Sequence, residues 1–329
     1  MSVVVDTGTS RLELHSNALI ELTKRCIYHC RHCFTNASPT ADGPEPQPEE
    51  LRELFESSSR LGLKSITLSG GEPLLHKQID QVVAVIPKEV QVWFFTGGIN
   101  HDVSRIACWS KHISGYAVSL DGSAEQHNAL RRSRRAFNDT IRFLKHVAAF
   151  GAPLQIQSMV LRQNMKHMPF IVELAEIFGA QRVLFSHVSP DGRGQVMKDD
   201  LMGPTDFEAL QSLVDSLQQM TLIRLHTNLM DRHLVTSRFP KPTLHIVPSG
   251  NVLPWYGAPV KFQLGNLKDH GWDLEQLLRK CKIMKEIQDV FERAQTYAQN
   301  YEGTFVPVDD VLVKTFREAE SWIRPNYLL

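Results

Sequence analysis

Three cysteines are concentrated in one short stretch of this 329-residue chain. Cys26, Cys30 and Cys33 follow a C-x-x-x-C-x-x-C spacing. Thiolates this close can converge on one soft-metal centre, because cysteine sulfur favours iron-sulfur clusters, zinc and copper(I) over oxygen-seeking cations. A structural zinc site would need a fourth ligand, which His29 or His32 could supply. The cysteines therefore predict an iron-sulfur cluster or a zinc site.

A glycine-rich turn follows further along the chain. The apolar run 65–68 ends in the segment Ser69, Gly70, Gly71, Glu72 and Pro73. With the cysteines upstream, this sequence resembles the radical S-adenosylmethionine (SAM) superfamily. The resemblance implies that Cys26, Cys30 and Cys33 hold one 4Fe-4S cluster, with the fourth iron left open for the amino and carboxylate groups of SAM. It favours the cluster over zinc, and it implies that the glycine-rich segment receives the SAM amino group.

The resemblance also implies an activity. Members of this family reductively cleave SAM to a 5'-deoxyadenosyl radical, which abstracts a hydrogen atom from the substrate. We therefore expect an enzyme with two cofactors, one 4Fe-4S cluster and SAM. We also expect an external one-electron donor of the flavodoxin or ferredoxin type. The sequence does not identify the catalytic residues that act on the substrate.

Further residues match SAM-binding positions of the family. Thr96 ends the third predicted strand, where Gly97 replaces a polar residue common in relatives, so this match is weak. Ser119 and Asp121 end the fourth predicted strand in a Ser-x-Asp-Gly signature, and Arg131 follows. In relatives, a serine and an arginine at such places bind the SAM carboxylate or ribose, and a guanidinium fork suits a carboxylate. The neighbouring arginines 132, 134 and 135 leave the choice of arginine open and fit a solvated face.

Other polar or reactive residues have plainer interpretations. Cys108 and Cys281 are isolated, which favours structural roles. His187 ends the sixth predicted strand and could reach the substrate, although a hydrogen-bonded structural histidine is the safer interpretation. Alternating polar residues on the strand 154–160 indicate a face that meets ligand or water.

Composition sets limits on the partners. The chain has 36 basic and 36 acidic side chains, so no overall field attracts nucleic acid or an anionic membrane. No apolar run is long enough to span a bilayer, and residues 1–21 do not resemble a secretion signal. Clustered cysteines without a disulfide pattern favour a reducing compartment. We expect a cytoplasmic protein without membrane or nucleic-acid partners.

The pattern of elements predicts an α/β fold. Strands are predicted at 17–23, 64–68, 90–95, 115–120, 154–160 and 182–187. Helices are predicted at 48–61, 77–86, 101–110, 138–150, 166–179 and 205–219. This alternation is compatible with a doubly wound sheet or a barrel. The resemblance selects a partial (β/α)6 TIM-like barrel over residues 1–220.

Residues 221–329 lack the regular alternation of strands and helices, and their pattern predicts a small α+β extension. Strands are expected at 222–226, 244–247 and 252–255, with a turn at 248–251, and helices at 273–283 and 283–299. The segment resembles the SPASM or twitch extension of radical SAM enzymes, in which a cysteine after the hairpin proline ligates an auxiliary cluster. Trp255 occupies that position here. We therefore expect no auxiliary cluster, and Trp255, Tyr256 and Phe262 either line the substrate pocket or pack in the core.

Two substrate classes compete. Relatives with such extensions often modify ribosomally made peptides, and others modify small-molecule natural products or cofactor precursors. Peptide maturases often carry an N-terminal peptide-recognition domain, for which the chain before Cys26 leaves no room. Recognition can come from a separate chain, so a peptide substrate remains the first prediction and a small molecule the alternative. A non-catalytic cluster protein is the third hypothesis, and the intact motifs argue against it.

Overall fold

A computed structural model describes residues 2–7, 11–99, 102–197 and 199–320. The strands are β1 Ser2–Asp6, β2 Arg11–His15, β3 Asn17–Glu21, β4 Ser65–Ser69, β5 Gln91–Thr96, β6 Gly115–Ser119, β7 Leu154–Val160, β8 Arg182–His187, β9 Arg224–Thr227, β10 Leu229–Asp231, β11 Leu244–Ile246, β12 Asn251–Leu253, β13 Gly265–Asn266 and β14 Phe305–Pro307. The helices are α1 Pro48–Arg60, α2 Ile79–Ala84, α3 Val103–Trp109, α4 Ala124–Arg131, α5 Ala136–Ala149, α6 Met168–Ile177, α7 Pro204–Gln218, α8 Val235–Arg238, α9 Leu274–Arg279, α10 Met284–Gln299 and α11 Val308–Ala319.

One large sheet organises the molecule. Its ten strands lie in the order β13-β12-β11-β3-β4-β5-β6-β7-β8-β9. Strands β3 to β9 pair in parallel with their sequence neighbours, and β11 pairs in parallel with β3. A doubly wound sheet would reverse its strand order at a switch point, whereas here the order from β3 to β9 never reverses. The sheet is therefore of the barrel type, and no pairing between β9 and β13 closes it within the described residues.

The six barrel strands and most helices lie where the sequence predicts them. Strands β7 and β8 match residue for residue, and the other four differ by a residue or two at their ends. The helix predicted at 101–110 runs from Val103 to Trp109, while residue 101 lies outside the described residues. The expected hairpin of β11 and β12 is present and antiparallel.

The region after residue 220 contributes directly to the barrel sheet. β9 lengthens the sheet beyond β8, and β11 lengthens it on the opposite side, beyond β3. The antiparallel strands β12 and β13 then continue outward from β11. The partial barrel therefore includes strands from both segments of the chain.

Amphipathic helices bury their apolar faces in the main core. α1 begins with Pro48 and a capping box between Gln47 and Glu50, and it buries Leu51, Leu54 and Phe55. α10 buries Met284, Ile287, Val290 and Phe291 at the same helical spacing. Within the described ranges, no helix is long and apolar enough to cross a membrane.

Parallel pairing places the carboxyl ends of β3 to β9 along one edge of the sheet. The cysteine loop follows β3, the glycine-rich turn follows β4, and Asp121 lies just after β6. Barrel folds assemble their sites at this edge because consecutive strands deliver their loops to the same place. The predicted site segments therefore converge through the fold, although they are distant in sequence.

Candidate active site

The three thiols lie in one small apolar pocket. Cys26 and Cys30 are buried, and Cys33 packs partly buried against the same cluster. Its other members are Tyr28, Ala37, Leu75, Ile99 and Ala136. All five cysteines of the chain are free thiols. The loop thus offers three soft donors in surroundings from which water is largely excluded.

Hydrogen bonds to its backbone hold the cysteine loop in place. The amide of Arg31 donates to the carbonyl of Leu130 at the end of α4, at 2.9 Å. Arg193, which follows β8, donates from Nε to the carbonyl of Cys30 at 2.7 Å, and its amide donates to the carbonyl of Cys33 at 3.0 Å. The loop is therefore fixed by elements on the far side of the barrel mouth.

The donor set is compatible with a 4Fe-4S cluster. Ligands of one zinc ion would crowd around a common point about 2.3 Å from each sulfur. Among the described residues, no three His, Cys, Asp or Glu side chains converge in that way. In a 4Fe-4S cluster each thiolate binds a different iron, so the three sulfurs need not meet at one point.

The thiols need a metal to become thiolates. Burial, with the nearby Glu72 carboxyl, raises the pKa of Cys26 to about 12. Burial also raises the pKa of Cys30. Binding of a metal centre would displace these protons, as ligation by cysteine requires.

The glycine-rich turn packs directly against the chain that leads into the cysteine loop. The amide of Gly71 donates to the carbonyl of Thr23 at 2.7 Å, and the amide of Glu72 donates to that of Arg25 at 2.9 Å. A Cβ on Gly70 would lie 2.4 Å from the Thr23 carbonyl oxygen, and one on Gly71 would lie 2.2 Å from that of Arg25. The glycines are therefore required by contact between two backbone segments.

Glu72 joins the ends of β4 and β5. Its buried carboxyl accepts hydrogen bonds from Thr96 Oγ1 at 2.7 Å and from the amide of Gly97 at 2.9 Å. Pro73, the next residue, starts a short turn and is buried. Burial raises the pKa of Glu72 to about 7, although its hydrogen bonds act in the opposite direction. The predicted residues Glu72 and Thr96 are thus brought into direct contact.

Asp121 and Arg131 form a buried ion pair. Arg131 Nε donates to Asp121 Oδ2 at 2.8 Å, and both side chains are almost inaccessible to solvent. Burial alone would raise the pKa of Asp121, but Arg131 holds it well below its usual value. The guanidinium also interacts electrostatically with Cys30 and Cys26. Arg131 therefore places a fixed positive charge beside the thiol pocket.

Other predicted residues are more peripheral. Ser69 and Ser119 are buried at the ends of β4 and β6. The arginines 132, 134 and 135 are exposed, whereas Arg131 is buried. Cys108 is exposed and Cys281 is buried in the main core. Phe262 is fully buried against Phe316 and belongs to the core.

His32 and Tyr28 complete the loop around the thiols. Burial and the charge of Arg131 lower the pKa of His32 to about 3, so its imidazole is neutral. Tyr28 Oη donates to Asp139 Oδ2 at 3.2 Å. The sequence gives only a weak signal for Tyr28, an aromatic residue between two clustered cysteines, and none for its distant partner Asp139.

A second group of polar side chains lies across the barrel mouth, and sequence analysis largely missed it. His187 Nε2 lies 3.0 Å from Asp310 Oδ1, and its Nδ1 lies 2.9 Å from Asn228 Oδ1. Both ring nitrogens face oxygen acceptors, which favours the doubly protonated imidazolium. Burial would lower the pKa of His187, yet the Asp310 carboxylate raises it. The safer interpretation of His187 as a structural histidine agrees with these contacts.

Comparison with known protein families identifies one match. Residues 20–175 match the sequence pattern of the Radical SAM superfamily. This region contains the three cysteines, the glycine-rich turn and Asp121 with Arg131. The match therefore covers every cluster-binding and SAM-binding residue predicted from the sequence.

Individual relatives extend the similarity along the chain. The PqqA peptide cyclase of Granulibacter bethesdensis is 25% identical over 267 residues, covering 76% of this chain and 70% of the relative. The Fe-coproporphyrin III synthase of Methanosarcina barkeri is 27% identical over 228 residues, covering 68% of this chain and 54% of the relative. The crystal structure of Streptococcus suis SuiB bound to precursor peptide SuiA is similar in fold, with a TM-score of 0.71, 15% identity, and coverage of 84% of this chain and 67% of SuiB.

Proposed function

Because this chain is a radical SAM enzyme, we propose that its substrate is a ribosomally made peptide and that it acts in peptide maturation. One observation carries the peptide class. Similarity to a PqqA peptide cyclase covers 76% of the chain and so extends beyond the radical SAM region at residues 20–175. The shared part therefore includes sequence outside the region that holds the predicted cofactor residues.

The cofactors of this family are one 4Fe-4S cluster and SAM. In this chain Cys26, Cys30 and Cys33 hold the cluster, and the segment 69–73 with Thr96, Ser119, Asp121 and Arg131 forms the SAM site. When bound, the reduced cluster and SAM supply a 5'-deoxyadenosyl radical that abstracts hydrogen from the substrate. The convergence of these segments at one edge of the sheet supports the assignment.

The protein's own residues orient these groups and shape their electrostatics. The Asp121 carboxylate fixes Arg131, whose positive charge offsets the negative charge that accumulates on the cysteine thiolates. Contacts of Glu72 with Thr96 and Gly97 keep the ends of β4 and β5 in register beside the cysteine loop. The apolar walls around the thiols exclude water.

We expect one cluster per chain. Trp255 stands where relatives with an auxiliary cluster have a cysteine. Of the two cysteines outside the loop, Cys108 is exposed and Cys281 is buried in the main core. Iron analysis after anaerobic reconstitution should give about 4 Fe per chain. The Cys281→Ala variant should keep the same iron content, and a value near 8 Fe per chain for the wild type would contradict a single cluster.

A small-molecule substrate is the second candidate. The similarity to Fe-coproporphyrin III synthase, a protein named for a tetrapyrrole product, favours this alternative. That similarity covers a smaller share of this chain, and only 54% of the relative. The peptide class is therefore the first choice.

The deciding experiment measures 5'-deoxyadenosine by mass spectrometry. Reconstituted, reduced enzyme is incubated with SAM and with peptide-sized or small-molecule fractions of a host extract. Stimulation by the peptide fraction supports the proposal, and stimulation by the small-molecule fraction alone replaces it with the second candidate. Reduced flavodoxin or ferredoxin substituted for dithionite in the same assay tests the expected cytoplasmic electron donor, and failure of both proteins to support turnover would reject it.

A further inference from the structure

The hydroxyl group of Thr35 lies against the sulfur of the third cysteine of the loop. Thr35 Oγ1 is 3.3 Å from Cys33 Sγ, and Thr35 is only 7% exposed. The same hydroxyl lies 3.5 Å from the carbonyl oxygen of Gly70 in the glycine-rich turn. Thr35 is therefore placed where the cysteine loop and the glycine-rich turn meet.

The chemistry of these two contacts decides where the hydroxyl hydrogen points. A cysteine that binds a metal centre is a thiolate, which can accept hydrogen bonds but has no proton to donate. The Thr35 hydroxyl has one hydrogen, and both Cys33 and Gly70 offer it an acceptor. The charged sulfur is the stronger acceptor, and 3.5 Å is long for a bond from a hydroxyl to a carbonyl oxygen. With the cluster bound, we therefore expect Thr35 to donate to Cys33 Sγ.

Hydrogen bonds also hold the segment that carries Thr35. The Lys24 ammonium group donates to the Thr35 carbonyl oxygen at 3.4 Å. Further along, the amide of Cys26 donates to the carbonyl of Ser38 at 3.1 Å, and the amide of Ser38 donates to the carbonyl of Lys24 at 3.4 Å. The Thr35 segment is thus tied to the start of the cysteine loop.

A second ligand sulfur also receives a hydrogen bond. The amide of Tyr28 lies 3.4 Å from Cys26 Sγ. The Tyr28 hydroxyl donates to Asp139, which anchors the side chain of this residue. The amide belongs to the backbone and remains in any side-chain variant, whereas the donor on Thr35 can be removed by one substitution. Thr35 is therefore the donor to a ligand sulfur that mutation can test.

Such hydrogen bonds affect how easily a cluster is reduced. The reduction potential of an iron-sulfur cluster depends on the hydrogen bonds to its sulfurs, as well as on charge and solvent exposure. Reduction adds one negative charge, and a donor directed at a thiolate stabilises the more negative state more strongly. Loss of the donor should therefore lower the potential and make the cluster harder to reduce.

We propose that Thr35 is a positioning residue of the cluster site, whose hydroxyl donates to the Cys33 thiolate and raises the reduction potential of the 4Fe-4S cluster. This inference rests on the proposed assignment of the cluster to Cys26, Cys30 and Cys33, and it does not depend on the class of substrate. It deepens the proposed function, because it names a residue that controls how readily the external donor reduces the cluster.

The test compares the reduction potentials of the wild type, Thr35→Val and Thr35→Ser. Each protein is reconstituted anaerobically and titrated without SAM or substrate, and electron paramagnetic resonance measures the reduced cluster at each applied potential. Valine has the shape of threonine without the hydroxyl, whereas serine keeps the hydroxyl. At the wild-type midpoint, the ratio of reduced to oxidised cluster should fall about 3- to 10-fold in Thr35→Val, as expected for one net hydrogen bond, and stay within about 2-fold in Thr35→Ser. A tenfold fall corresponds to about 59 mV for one electron.

Thr243→Val is the matched control. Thr243 is also 7% exposed, and its hydroxyl donates to the carbonyl of Lys241 at 3.4 Å rather than to a sulfur. This variant removes a buried hydroxyl and a similarly long contact with a carbonyl oxygen, so we expect it to keep the wild-type potential. A fall as large as that in Thr35→Val would reject the proposal.

Further results would also overturn the role of Thr35. One is an unchanged potential in Thr35→Val that holds about 4 Fe per chain, and another is an equal fall in Thr35→Ser. Thr35→Ala is a second variant without the hydroxyl, and if neither it nor Thr35→Val holds iron, the role of Thr35 is structural and the proposal is rejected. A wild type without a cluster, or a Cys30→Ala variant that keeps one, rejects the cluster assignment itself and the inference with it.

Discussion

Replacing Cys30 with alanine should abolish both the visible absorbance of the iron-sulfur cluster and the cleavage of SAM. Cys30 is buried within the thiol pocket, and Arg131 places its charge beside it. With two thiolates left, the loop cannot hold a cluster that keeps one iron open for SAM. We expect 5'-deoxyadenosine formation to fall by at least about 1,000-fold, corresponding to more than about 4 kcal/mol in the barrier. Absorbance after anaerobic reconstitution and mass spectrometry of 5'-deoxyadenosine measure the two effects.

Cys281→Ala is the matched control for this change. Cys281 is also buried, 8% exposed against 7% for Cys30, but it lies in the main apolar core. Both substitutions remove a small buried sulfur, so a general loss of packing would affect both variants. If Cys30→Ala kept its absorbance and its SAM cleavage, the assignment of the cluster to this loop would be wrong.

Local sequence patterns were sufficient for the barrel strands and for the motifs that the fold brings to one edge of the sheet. β7 alternates buried residues such as Leu154 and Ile156 with half-buried Gln155 and Gln157. That period of two is visible in the sequence, and the half-buried face agrees with the predicted polar interior. The cysteine motif and the glycine-rich turn could also be recognised from the sequence, because each motif is continuous in the chain.

Contacts between distant segments could not be predicted from local sequence patterns. Asp310 in α11, which lies beyond the last predicted helix, is next to His187 although 123 positions separate them. Likewise, β11 pairs with β3 across the whole barrel segment. Neither contact leaves a periodic signal in the sequence, since each depends on tertiary packing.

The structure shows a constraint on Gly70 and Gly71 that the sequence did not reveal. The sequence analysis assigned this segment to the SAM amino group by resemblance alone. In the structure, a Cβ at either position would collide with the carbonyl oxygens of Thr23 and Arg25. Glycine is therefore required at both positions, because a neighbouring segment of this chain occupies the space that a Cβ atom would need.

Replacing Asp121 with alanine should be the most destabilising single change in the site. Asp121 is fully buried, pairs with Arg131 at 2.8 Å, and accepts a hydrogen bond from the amide of Met159 at 2.9 Å. The variant leaves the Arg131 charge buried without its partner and the Met159 amide without its acceptor. Removing one member of a buried ion pair costs about 3–5 kcal/mol. Urea unfolding at neutral pH measures this loss, with Glu125→Ala, an exposed carboxyl on α4, expected to stay within about 0.5 kcal/mol of the wild type.

The loss should depend on pH with a defined sign. The pKa of Asp121 in the folded chain lies well below its usual value, so its contribution is complete above the unfolded pKa of about 3.9. That contribution is lost as the pH falls through the lowered folded pKa. The difference between wild type and Asp121→Ala should therefore be constant near neutral pH and shrink below about pH 4. Unfolding of the cluster-free proteins across this range measures the change, because acid destroys iron-sulfur clusters.

A double variant separates the ion pair from the rest of the Asp121 contacts. Adding Arg131→Met to Asp121→Ala removes the unpaired buried charge, so the double variant should be more stable than Asp121→Ala alone. It would still lack the acceptor for the Met159 amide and should remain below the wild type. Two results would show that the buried pair does not hold this part of the site together. The first is a free energy of unfolding for Asp121→Ala within about 0.5 kcal/mol of the wild type. The second is a double variant that is less stable than Asp121→Ala alone.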